Sequence, residues 1–247
     1  MIQGVLKVAA GAGLLWMTAA CEERPARPQT GALNPPVARP ASSDAITSEQ
    51  VRSWAVSDRA AFLAGRVVAA DRLYRAGETQ AALAQISSVT QIVASADNGA
   101  LQALGFQPAR VEALVAALEL DRPAEEIAPL FIEAESSLSA AIAASGAAPE
   151  DVAAFLMQLS ADAYGGGVRY GEILDAGAYQ SSYGYAVAAR DLIAPLDPGV
   201  YGDLGLELDI LVLMWLAAGP LPDRTPPPEV RMAEQFARVK LALAMLP

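Results

Sequence analysis

The chain has 247 residues, 53% of them hydrophobic, enough for one sizeable core. It carries 17 basic against 28 acidic residues, a formal net charge of −11, which disfavours nucleic acid because phosphate binding is driven by Lys and Arg. There is no histidine and a single cysteine, which excludes Ser-His-Asp and Cys-His catalysis and zinc sites built on histidine.

Residues 1–20 read as an export signal. Lys7 is the only charge before an apolar run from Val8 to Met17. The run ends in Leu14-Leu15-Trp16-Met17-Thr18-Ala19-Ala20-Cys21. Small residues before a cysteine suit a lipoprotein signal peptidase, which cuts in front of a thiol carrying diacylglycerol. The segment resembles a bacterial lipobox, with Thr18 where that motif prefers Leu. Cys21 is thus the expected lipidation site, carrying diacylglycerol and a fatty acyl chain such as palmitate. The apolar run is short for a spanning helix, which needs about 20 apolar residues, whereas two or more acyl chains hold a protein stably on a membrane. An ordinary cleaved signal and an uncleaved N-terminal helix are the alternatives.

Residues 21–43 form a Pro/Ala-rich tether, from Glu22-Glu23-Arg24-Pro25 through Pro35-Pro36 to Pro40. Such a segment is a semi-rigid spacer. Residues 44–247 are expected to fold as an all-α domain, an antiparallel bundle of about seven or eight helices. Alanine, the best helix former, supplies much of the apolar fraction, and only 6% of the chain is aromatic. This domain carries 13 basic and 26 acidic residues.

The first helix starts after Thr47, whose spacing to Gln50 is that of a capping box. Apolar residues recur through Val51, Trp54, Phe62, Val67 and Leu73, with a possible interruption at Ser57-Asp58 and a C-cap at Gly77. A second helix covers 78–94. Asn98-Gly99 marks a turn. Pro108 starts a helix to about 120, Pro123 one to about 145 and Pro149 one to about 164. Pro129 should kink the second of these or mark its true start. Gly165-Gly166-Gly167 should end the third, since the triplet lacks the Lys-Ser/Thr of a phosphate loop. An extended loop or small hairpin follows over 168–175, and then a helix over 179–193. The apolar segment 204–216 holds Glu207 and Asp209 and is too short to span a membrane. It reads as the central helix of the bundle, with Asp209 buried and paired to Arg190, Arg238 or Lys240. Residues 219–228 are a proline-rich link, and a last helix covers 229–246.

Three groups of residues could carry chemistry. Six of the 7 tyrosines lie between Tyr164 and Tyr201. Tyr179 and Tyr183 share a helix face, and with Glu172 and Arg190 they are the candidate ligand-binding residues. The other reading of these tyrosines is a packing seam with its hydroxyls at the rim. Glu172 and Asp175 lie three apart in a loop and could hold an oxygen-ligated cation. No carboxylate pair has the Glu-x-x-Glu or Glu-x-x-His spacing of a di-iron bundle, so no metal site and no cofactor are assigned. A hydrolase using Lys240 or a serine with a carboxylate is the remaining catalytic reading.

Leu73-Tyr74-x-Ala76-Gly77, and Tyr179-Gln180-x-x-Tyr183-Gly184-Tyr185 leading to Ala189-Arg190, resemble a group of extracytoplasmic helical proteins. These are the helical domains that accompany high-affinity iron permeases and, more distantly, imelysin-like proteins. The resemblance spans most of 57–193. In that group the long helix and its successor carry histidines; here the corresponding places hold Arg66, Gln85 and Ser88. The imelysin Gly-x-His-x-x-Glu and the permease Arg-Glu-x-x-Glu motifs are absent. The resemblance therefore implies fold and location more than iron chemistry. The expected function is a non-enzymatic, lipid-anchored binding or interaction module on the periplasmic side of the inner or outer membrane, with an envelope protein as possible partner. The alternative is a periplasmic metal- or small-ligand-binding protein linked to iron uptake.

Overall fold

The computed structural model describes residues 46–95, 98–215 and 219–247. The signal, Cys21 and the tether lie outside them. Ten helices and one two-stranded hairpin are present among the described residues, so the all-α bundle is observed. Eight of the helices are the long ones expected: α2 (Val56–Arg75), α3 (Thr79–Ser95), α5 (Pro108–Glu119), α6 (Ala124–Ala144), α7 (Pro149–Gly167), α8 (Ala176–Ile193), α9 (Pro198–Leu213) and α10 (Glu229–Ala244). Two short ones, α1 (Ser48–Ser53) and α4 (Gly99–Ala103), complete the count.

Local chemistry explains most boundaries. Thr47 accepts the Gln50 amide and opens α1, but the break before α2 falls at Trp54-Ala55, ahead of the Ser57-Asp58 pair expected to cause it. Pro108, Pro149 and Pro198 sit in the first turns of α5, α7 and α9, where a missing N–H costs nothing. Gly77, at φ +88°, ends α2. There the Glu78 amide donates to the Leu73 carbonyl and the Gly77 amide to that of Tyr74, closing the last turn. Pro129 lies inside a continuous α6.

The glycine triplet ends α7, but at its last residue rather than before its first. The helix runs through Gly167, and the chain then reverses in a hairpin of β1 (Val168–Arg169) and β2 (Glu172–Ile173). Propensity penalises glycine by only about 1 kcal/mol, and here tertiary packing outweighs it. A Cβ on Gly167 would lie 2.6 Å from the Tyr179 amide nitrogen, so the start of α8 rests against this helix end. The Gly167 carbonyl also accepts the Leu174 and Asp175 amides, at 2.8 and 3.1 Å. Asp175 then caps α8 by accepting the Ala178 amide at 3.0 Å, which starts that helix three residues before Tyr179.

Consecutive long helices pack in pairs, α2 with α3, α5 with α6, α7 with α8 and α9 with α10. The pairs are joined through α2 and α8, which cross at the centre. Every residue of α8 from Tyr179 to Val187 is buried. At the crossing, a Cβ on Gly184 would overlap the Gly65 carbonyl and stand 2.8 Å from the Ala69 Cβ. The two backbones can approach this closely only because both residues are glycine. Along α7 and α8, Ser160 and Ser182 exchange hydroxyl-to-carbonyl bonds of 2.8 and 2.7 Å.

The central helix is therefore α8, not α9. On α9 only Leu204, Leu208, Leu211 and Val212 are buried, and Leu206, Ile210 and Leu213 face outward. Asp209 is exposed, and Arg190 pairs with its neighbour Asp191 instead. A helix this apolar on all faces suggests the middle of a bundle, but its place was decided by which partner offered the better fit. The small residues of α8 let three helices close around it. Among the described residues α6 alone is long and apolar enough to cross a membrane. Its Ile127, Phe131, Ala134 and Leu138 are buried, and it packs on α2 and α5.

Candidate functional site

Of the four residues expected to bind a ligand, Tyr179, Tyr183 and Arg190 follow one another along α8, with the Arg190 charge acting on the Tyr183 phenol, while Glu172 stands apart. Tyr179 and Tyr183 are both buried on α8. Glu172 is exposed on the hairpin before that helix, and Arg190 lies near its other end. From the Asp175 cap to Arg190 is about 20 Å at about 1.5 Å per residue, so Glu172 and Arg190 cannot share one small ligand. The tyrosines belong instead to an aromatic cluster. Tyr164 meets Tyr179 at 6.1 Å and Trp215 at 6.0 Å between ring centroids, and Tyr183 meets Trp215 at 5.6 Å. The Tyr164 hydroxyl donates to the Pro227 carbonyl, tying the proline-rich link to α7. Burial pushes the Tyr179 phenol up to about 12 and raises those of Tyr164 and Tyr183. These rings stay neutral and pack the core; phenolate ligation of a metal would have to overcome that desolvation. Asp175 is engaged as the α8 cap, and no group of three or more Asp, Glu, Cys or His suited to a metal occurs among the described residues.

A different set of side chains converges. Arg66 rises from α2 into the seam between α3 and α8. Its Nη1 donates to the Ser181 hydroxyl and its Nη2 to the Ser88 hydroxyl. The fully buried Tyr185 hydroxyl bonds the same guanidinium, whose charge partly offsets the desolvation that pushes this phenol up to about 12. Gln85 spans the seam. Its Nε2 donates to the Gly177 carbonyl at 3.1 Å and to Gln180 Oε1 at 3.4 Å, and its Oε1 accepts the Ser181 hydroxyl at 3.2 Å. The single Ser181 proton has the Gly177 carbonyl as a nearer alternative acceptor at 2.7 Å, and Ser88 donates to the Gln85 carbonyl at 2.6 Å. Arg66 and Ser88 are part-exposed, whereas Gln85, Gln180 and Ser181 are buried. The seam therefore reaches the surface only at Arg66 and Ser88, between two helices that touch lightly.

Arg66, Gln85 and Ser88 were singled out in the sequence only as standing where the resemblance implies histidines, and not as ligand-binding residues. Gln180 and Ser181 sit inside the quoted Tyr-Gln motif, yet nothing in their spacing joined them to Arg66, which is 115 residues from Ser181. The usable signal was three consecutive polar residues, Gln180-Ser181-Ser182, in an otherwise apolar helix.

A second cluster lies further along α2. Glu135 on α6 faces Asp71 and Arg75 of α2 and Asp191 of α8. Burial, then the two aspartates, push its carboxyl up to about 7, and Arg75 partly opposes them. Arg75 itself bonds Asp71 at 2.7 Å. Comparison with family models, curated proteins and solved structures gave no match.

Proposed function

We propose that the protein is a non-enzymatic binding module, held on the periplasmic side of a membrane by lipid on Cys21. The observation that supports binding is the seam around the part-exposed Arg66, where a cation, hydroxyls and amides from three helices meet. Sites of this kind fix a ligand's orientation with a few placed polar groups. The location rests on the apolar run ending at Cys21 and on the spacer after it. Cys21→Ser should move the full-length chain from the membrane fraction to the soluble fraction. Continued membrane association of that variant would overturn the anchor. Crosslinking in intact cells, with wild type and the Cys21→Ser variant compared, tests for an envelope partner. A chain that captures neither a protein nor a small molecule in its native envelope is not a binding module.

The second reading, a metal- or small-ligand-binding protein linked to iron uptake, draws on the same seam. The guanidinium at its centre repels a cation, which favours the small-ligand half of that reading over the metal half.

A further inference from the structure

We propose that the α3–α8 seam binds a small oxyanion, a phosphate or a carboxylate group, on the Arg66 guanidinium. The proposal rests on the reading of the chain as a binding module and names its ligand class. Arg75, Arg110, Arg122, Arg190, Arg224 and Arg231 each reach a carboxylate. Among the described residues no carboxylate pairs with Arg66, although acidic residues outnumber basic ones by 28 to 17. Its partners are the neutral oxygens of Ser88, Ser181 and Tyr185, and its buried Nε has no acceptor. Arg66 is only part-exposed, and a charge partly withdrawn from water among neutral oxygens gains from an opposite charge. An oxyanion supplies that charge, and the planar fork of a guanidinium matches its two oxygens.

The surroundings suit an anion in a second way. The Ser88 and Ser181 hydroxyls now donate to nearby carbonyls, and each can rotate to donate into the seam. Gln85 fixes this wall of the seam, its two amide N–H groups being held by the Gly177 carbonyl and Gln180. Gly177 is exposed and Ala178 half-buried, so α8 is only partly covered on this side. An inorganic oxyanion, or one carboxylate of a larger molecule, could reach the guanidinium there.

The test is isothermal titration of the full-length chain with inorganic phosphate and with succinate, at constant ionic strength set with KCl. Binding of either probe in a 1:1 ratio is the expected result; phosphate alone, succinate alone or both would define the subclass. Arg66→Lys keeps the charge without the fork and should weaken binding at least about tenfold, while Arg66→Gln should abolish it. Arg110→Gln, in an exposed pair with Glu133, should bind as wild type does. Should Arg66→Gln fail to show a folded circular dichroism spectrum, the Ser88→Ala/Ser181→Ala double variant carries the test and must bind more weakly. Wild-type protein that is folded and takes up neither probe overturns the proposal. Equal binding by wild type and a folded Arg66→Gln variant overturns this site and leaves the binding-module reading standing, which the crosslinking experiment decides separately.

Discussion

Glu135 shows how one side chain makes stability depend on pH. Its carboxyl is raised from 4.5 to about 7 in the folded protein, first by burial and then by Asp71 and Asp191. Between those values the folded state keeps a proton that the unfolded state has released. Stability from this group is therefore fully present below about 4.5, falls as pH rises towards about 7, and is flat above. Glu135→Gln should remove that slope and raise stability at pH 8 by about 1–3 kcal/mol, read from urea unfolding at a series of pH values. Tyr170 is a separate case. With Gly171 it forms the two-residue turn between β1 and β2, at φ 56° and 74°. Such turns favour Asn-Gly, because left-handed backbone strains residues with larger side chains. The Tyr170 ring is 95% exposed, so it gains little from packing in return. Tyr170→Asn should raise stability by about 1 kcal/mol, seen as a higher melting temperature. The same experiment should show no change in phosphate or succinate binding, because the hairpin takes no part in the seam.

At the scale of elements, the α2–α8 crossing is the joint on which the other helices depend. Gly65 and Gly184 bring the two backbones together, with the Tyr185 ring stacked on Phe62 beside them at 5.8 Å. Gly184→Ala must push α8 away from Gly65 and Ala69. Overpacking of this kind costs about 1–3 kcal/mol, despite alanine's higher helix propensity. Chemical denaturation would check it, and a stabilised Gly184→Ala variant would show that the crossing is looser than described. Because Arg66 and Ser181 lie on these same two helices, a shifted crossing should also weaken oxyanion binding. The elements themselves were mostly legible. Pro108 and Pro149 mark helix starts by a local rule, as Thr47 and Gly77 mark a start and an end. Gly165 to Gly167 mark the end of α7 as expected, but the helix continues to the last of them because the rule against glycine is weak beside the contact of Gly167 with Tyr179. The role of α9 misled because composition reports how apolar a helix is and not which helix will cover it.

Across the whole molecule, charge is one-sided. An excess of acidic groups destabilises a compact state through self-repulsion, and salt screens it over a Debye length of about 8 Å at physiological ionic strength. Raising NaCl from about 20 to about 200 mM should therefore raise the melting temperature of the wild-type chain. A fall in melting temperature would show that specific ion pairs outweigh the general repulsion.

The sequence by itself determined the helical class, most of the helix boundaries and the features that point to lipidation at Cys21. Each of these is written in neighbouring residues: apolar periodicity, caps, prolines and a cysteine after small residues. Only the tertiary structure decided that α8 is central, that Asp209 faces solvent, that Glu172 and Arg190 stand apart, and that Arg66, Ser88, Gln85 and Ser181 come together. Those outcomes depend on contacts between helices distant in sequence, such as the 115 residues separating Arg66 from Ser181. Steric fit and the satisfaction of buried polar groups select such contacts, and neither is a property of any local stretch of chain.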